Sequence, residues 1–216
     1  RRRQMCIRDR AGFSERIKYR TIDLVVIVMV GVAFGVAFAG YAHLYNLVAP
    51  LTAVFPPLEG LLTGFWCLPA LVAMLIVRRP GAAFGAEIIA ACLEALLGSH
   101  FGVGALISGL IQGAGFEIAF ALSRWASTSA AVVIGGSLLS TLFEWLYEIT
   151  AYYPSWSAGY KVMLLVFFWI SALTLLAALG RAIVTALAKA GALNQFPVGR
   201  DLSLIHISEP TRLLSI

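Results

Sequence analysis

Charge is what this 216-residue sequence has least of: Asp, Glu, Lys and Arg together make 12%, against roughly 25% in ordinary soluble domains. Apolar residues make 60%, more than one soluble core of this length can hide, so the excess faces lipid. Cysteine is scarce too. Cys6, Cys67 and Cys92 give no disulfide framework, and Cys67 and Cys92 fall inside apolar runs, where a thiol acts as a small hydrophobe. No His, Cys or Asp cluster accompanies them, so no metal site is expected. Phosphate-loop and Rossmann glycine patterns are missing, as are HExxH and GxSxG. The chain is expected to be no enzyme, to have no catalytic residue and to bind no cofactor. Any ATP-driven step belongs to another chain.

The formal charge of +5 is misleading, because eight of the sixteen Lys and Arg residues lie in the first twenty positions. From Ala11 to Asp201 ten basic residues face nine acidic ones, a difference of 10 − 9 = +1. That balance excludes a nucleic-acid partner and leaves the basic residues as topology determinants. The N-terminal RRRQMCIRDR and C-terminal SLIHISEPTRLLSI share no periodicity with their neighbours. Both resemble translated sequencing-adapter read-through, so residues 1–10 and 202–216 are expected to be artefact or disordered tail. Residues 11–201 then form one membrane domain.

A span needs about 20 mainly apolar residues. Six stretches are predicted as helices: about 22–41, 58–77, 81–97, 102–123, 130–151 and 162–180. The fold expected is an all-α membrane bundle of six transmembrane helices. A cleaved leader is the lesser reading of the first stretch, whose apolar run is too long for one. With the N-terminus in the cytoplasm, Arg16, Lys18, Arg20, Arg78, Arg79, Arg124, Arg181 and Lys189 all lie inside and only Lys161 outside, as the positive-inside rule asks. Both termini are therefore expected in the cytoplasm. Pro50, Pro56 and Pro57 predict a non-helical outer loop over 42–57, lying at the interface or closing over a cavity. The loop with Tyr152, Tyr153, Trp156 and Tyr160 reads as an aromatic belt or as rings that stack on a ligand.

Carboxylates inside the spans are the strongest residue-level signal, since a charge near the bilayer centre costs at least about 2.5–3.5 kcal/mol. Glu59, Glu87, Glu94, Glu117, Glu144 and Glu148 lie in or at the edge of the spans, with no Lys or Arg at comparable depth. Any one of them can be protonated or bonded across helices. Six together suit an acidic cavity for a cationic, hydrogen-bonding solute. Glu87 and Glu94 share one face of the third helix, Gln112 and Glu117 lie on the fourth, and Ser137, Ser140, Thr141, Glu144 and Glu148 form a stripe on the fifth. Gly31, Gly35 and Ala39 repeat every four residues, as do Gly109 and Gly113. Such faces serve close packing within a subunit or, on the first helix, docking of another membrane protein.

The segment VRRPGAAFGAEIIAACLEALLG, Val77 to Gly98, and its continuation GLIQGAGFEIAFALSRW, Gly109 to Trp125, resemble the YkoE family. These are membrane substrate-binding (S) components of energy-coupling-factor vitamin transporters. The resemblance extends over about residues 20–195, including Gly64-Phe65-Trp66 and Gly191-Ala192-Leu193-Asn194. It implies a bacterial cytoplasmic-membrane protein that captures thiamine or hydroxymethylpyrimidine from outside. Its implied partners are a transmembrane coupling subunit and ABC ATPase subunits that use the ATP. The coupling subunit would dock on Gly31, Gly35 and Ala39. For such a ligand the expected binding residues are Glu94, Glu87, Gln112, Glu117, Trp66, Glu59, Tyr147 and Glu144, since a cation over Trp or Tyr gains about 0.5–2 kcal/mol. The other reading is a stand-alone proton-coupled carrier, which is expected to show an internal repeat; none is visible between the halves.

Overall fold

The computed structural model describes residues 18–200, which are helical throughout apart from turns and short connections. The terminal segments 1–10 and 202–216, and Arg16, lie outside the described residues. Helix α1 runs Thr21–Thr52; a 3-10 helix, Pro56–Phe65, leads into α2, Leu68–Val77; α3 is Ala82–Leu96, α4 Val103–Leu122, α5 Ala130–Ala151 and α6 Ala158–Ser171. A π-helical stretch, Ala172–Ala178, joins α6 to α7, Leu179–Lys189. Among the described residues, five helical stretches are long and apolar enough to cross a membrane: Thr21–Thr52, Pro56–Val77, Val103–Leu122, Ala130–Ala151 and Ala158–Lys189. Helix α3, with 15 residues, is shorter than a full span.

The expected outer loop over 42–57 is corrected. Helix α1 continues through His43, Tyr45 and Pro50 to Thr52. Pro50 sits in the last turn, so the one backbone bond it removes is lost where the helix is ending anyway. Pro56 and Pro57 do not break a helix but start one, at the first two positions of the 3-10 segment, where a missing N–H costs nothing.

Helix α2 is the post around which the rest is arranged. Every residue from Leu68 to Val77 is buried, as befits a helix that is apolar all round. The glycine repeats are spent on packing. A Cβ at Gly31 would fall 2.7 Å from Ile89 Cβ, and one at Gly35 2.7 Å from Leu93 Cβ, so α1 lies directly on α3. Gly113 meets Phe84 of α3 in the same way, at 3.0 Å. Of the three residues expected to dock a coupling subunit, Gly31 and Gly35 are buried against α3 and Ala39 is half-buried; the exposed side of α1 carries Val25, Met29, Val32 and Val36.

At the end of the bundle holding Arg78, Arg79, Arg124 and Arg181, buried Asp23 receives Arg20 Nη2 at 2.7 Å and Arg79 Nε at 2.7 Å. This pair of ion pairs ties the start of α1 to the α2–α3 turn. Tyr19 adds a hydrogen bond from its hydroxyl to the Pro80 carbonyl, 2.6 Å, and burial, then the Glu117 charge, push its phenol up to about 12. Arg181 donates to the Thr128 carbonyl.

Candidate ligand-binding cavity

The second span is broken in mid-course, and that break makes the cavity. At Trp66 and Cys67 the 3-10 winding gives way to α2, whose first N–H groups have no side-chain cap of their own. In lipid such groups must find partners in the protein. Glu87, on α3, supplies one: its Oε2 accepts the Ala70 N–H at 2.8 Å. Gln112, on α4, is oriented so that its amide nitrogen donates to Glu87 Oε1 and to the Trp66 carbonyl, both at 3.1 Å. The carboxylate, the amide and the break in the span thus form one bonded unit at the cavity wall.

Toward the other end of the bundle the wall becomes aromatic and acidic. The Trp66 indole donates to Glu94 Oε1 at 3.3 Å, which also accepts from Ser99 Oγ at 3.0 Å. Tyr45 donates to Glu59 Oε2 at 2.8 Å, while Glu59 Oε1 is buried without a hydrogen-bond partner. Ser108 donates to Glu144 Oε1 at 2.6 Å. The Trp66 ring meets Tyr41, Tyr45 and Phe101 edge-on, with centroids 4.7, 5.7 and 5.7 Å away. Tyr152 and Tyr153 complete the mouth. Burial raises both phenols, helped at Tyr153 by the Glu148 carboxylate, so they remain protonated donors. The cavity volume is about 110 Å3, and five carboxyl side chains line it: Glu59, Glu87, Glu94, Glu144 and Glu148. Among the described lining residues there is no Lys or Arg.

Six of the eight expected ligand residues meet here: Glu59, Trp66, Glu87, Glu94, Gln112 and Glu144. Two do not. Glu117 lies at the arginine-bearing end, where Oε1 accepts the Ala83 N–H at 3.0 Å and Oε2 the Trp125 indole at 3.4 Å. It caps α3, whose own N-cap is Gly81 with φ +86° and no side chain to offer. Tyr147 packs edge-on to Tyr152, centroids 5.6 Å apart, outside the lining. On α5 it is Glu148, four residues on from Glu144, that continues the cavity face. Tyr45, Thr63, Phe101, Ser108, Tyr152 and Tyr153 were not among the expected residues. Of these, Tyr152 and Tyr153 had a signal in their aromatic loop; Tyr45 was hidden by the assumption that its segment was not helical.

Comparison with known proteins fits this arrangement. Residues 22–143 match a family described as the permease component of an ABC-type cobalt transport system. A Bacillus subtilis (strain 168) protein that bears the name HMP/thiamine permease protein YkoE is 31% identical over 187 residues, 85% of this chain and 92% of its own length. The chain belongs to the YkoE family. A crystal structure of an S-component of an ECF transporter superposes on this YkoE-family chain with a TM-score of 0.84 at 28% identity, covering 92% of this chain and all of that one. The YkoE-family protein is thus a multi-pass membrane protein and a substrate-binding component of an energy-coupling-factor transporter, in a non-enzymatic family.

Proposed function

We propose that this S-component captures thiamine or its hydroxymethylpyrimidine moiety from outside a bacterial cytoplasmic membrane and passes it to a coupling subunit driven by ABC ATPases. The observation that carries the reading is the cavity lining: five carboxylates, the Gln112 amide and the Trp66, Tyr45 and Phe101 rings, with no lysine or arginine among them. An aminopyrimidine asks for carboxylate and amide partners, and a cationic ring asks for negative charge and aromatic faces. The unpartnered Glu59 Oε1 offers such a ligand an acceptor. At about 110 Å3 the cavity is below the roughly 300–1,000 Å3 of drug-sized sites. It favours the single pyrimidine ring; the two-ring vitamin needs the aromatic mouth to give way. The family description that mentions cobalt is less well served, since among the described residues no three His, Cys, Asp or Glu side chains stand together to hold a metal ion.

The same reading places α3 in the membrane as a sixth, short span and both termini in the cytoplasm. Its support is the gathering, among the described residues, of Arg78, Arg79, Arg124, Arg181 and Lys189 at one end against Lys161 at the other. The cavity then opens outward. Isothermal titration of purified protein with thiamine and with hydroxymethylpyrimidine is expected to show sub-micromolar binding of at least one without ATP. No heat with either overturns the ligand assignment, and failure to co-purify an ATPase and a coupling subunit overturns the transporter assignment.

A further inference from the structure

Ser171 ends α6 where the last span widens into its π-helical stretch. Its side chain is fully buried and does not line the cavity. Its Oγ accepts the Gly64 N–H at 2.8 Å and donates to the Leu61 carbonyl at 2.7 Å. Those two groups stand three residues apart, the pair that an uninterrupted 3-10 turn joins to each other. A hydroxyl from another span thus bonds to both groups of a backbone rung. Glycine makes the room: a Cβ at residue 64 would fall 2.7 Å from Ser171 Oγ, and one at residue 60 2.8 Å from Phe168 Cδ1.

The segment held in this way is the one that presents Glu59, Thr63 and Trp66 to the cavity. We propose that Ser171 is a positioning residue for ligand binding, fixing the 3-10 winding of the second span and with it the spacing of these groups. A 3-10 helix rises about 2.0 Å per residue and an α-helix about 1.5 Å. Without the bridging hydroxyl the Gly64 N–H is free to rebond one residue further back. Over the seven steps from Glu59 to Trp66, full relaxation shortens the wall by roughly 3.5 Å, more than the tolerance of a hydrogen bond. The inference rests on the cavity being the ligand site.

The test is titration of thiamine and hydroxymethylpyrimidine into wild-type, Ser171→Ala, Ser171→Cys and Thr174→Ala protein. Thr174 donates only to the Ile170 carbonyl of its own span, at 2.8 Å, and serves as the control. Ser171→Ala is expected to raise Kd about tenfold, the worth of one buried hydrogen bond, with the number of sites per protein unchanged. Ser171→Cys, which keeps a weak donor and acceptor, falls between, and Thr174→Ala matches wild type. A residue that merely helps folding lowers the number of sites and leaves the Kd of the folded fraction alone; that result, or an unchanged Kd in Ser171→Ala, overturns the proposal. If the wild type binds neither ligand, it is the cavity assignment that fails. If Ser171→Ala does not fold, hydrogen exchange on the wild type decides. Ligand is expected to slow exchange at residues 61–66 and 168–174 together, and slowing confined to 61–66 overturns the role of Ser171.

Discussion

The carboxylate of Glu87 holds the Ala70 N–H at 2.8 Å, so an acid on one helix closes the open start of its neighbour. The bonded oxygen stands where the unpaired N–H groups of the α2 start gather. Glu87→Ala removes that N–H group's partner, at a cost of about 1–3 kcal/mol. It is expected to lower the thermal midpoint of the ligand-free protein in detergent. An unchanged midpoint would contradict the capping role.

Glu94 is expected to behave in the opposite way. Its partners, the Trp66 indole and the Ser99 hydroxyl, stand on the mouth side of the cavity. Glu94→Gln should weaken ligand at least about tenfold, the loss of one charge-assisted bond, with little change in unfolding. Trp66→Phe keeps a ring and loses the indole donor, so it should weaken binding by a smaller factor. Calorimetry on the two variants reads both effects, and equal losses in stability and affinity would show that Glu94 too is structural.

Glu87, Glu94 and Glu117 show how far sequence could go. Their depth follows from counting residues along apolar runs, and it placed all three in the membrane. What each carboxylate does depends on which backbone lies opposite, and hydropathy carries no record of that. The starts of α2 and α3, LPA and AAF, have no Ser, Thr, Asp or Asn cap. In a medium without water that lack is itself a signal that an acid from elsewhere must serve. The helices Val103–Leu122 and Ala130–Ala151 follow the apolar runs expected at 102–123 and 130–151. The 3-10 winding of Pro56–Phe65 was not legible, because its bonding partner Ser171 lies 107 positions from Gly64.

The contact of α1 with α3 leads to a third expectation. Gly31→Val and Gly35→Val each push a side chain into Ile89 or Leu93 and against the Ala86 or Ala90 carbonyl at 2.9 Å. Overpacking of this kind costs about 1–3 kcal/mol. The loss should appear in the isolated subunit, as a lower thermal midpoint with no coupling subunit present. A variant that is normal alone and fails only in assembly would return these glycines to a docking role.

Asp23 supplies a fourth. Fully buried, it faces both Arg20 and Arg79, and breaking a buried pair by removing one partner costs about 3–5 kcal/mol. Arg79→Met is expected to destabilise strongly, and Arg79→Met combined with Asp23→Asn less than the sum of the two single changes. Chemical unfolding of the three variants measures the coupling; simple additivity would mean that the pair contributes nothing of its own.

Helix α1 has 32 residues, about 48 Å at 1.5 Å per residue, where the hydrocarbon layer is about 30 Å thick. Tilts of up to about 40° do not absorb the difference, so the stretch that carries Tyr45 and the exposed Leu44, Leu47 and Leu51 overhangs the layer like an outrigger. Its outer flank is apolar and exposed, and Tyr45 on its inner flank lines the cavity. A change in bilayer thickness is therefore expected to bear first on this stretch of α1, which carries Tyr45.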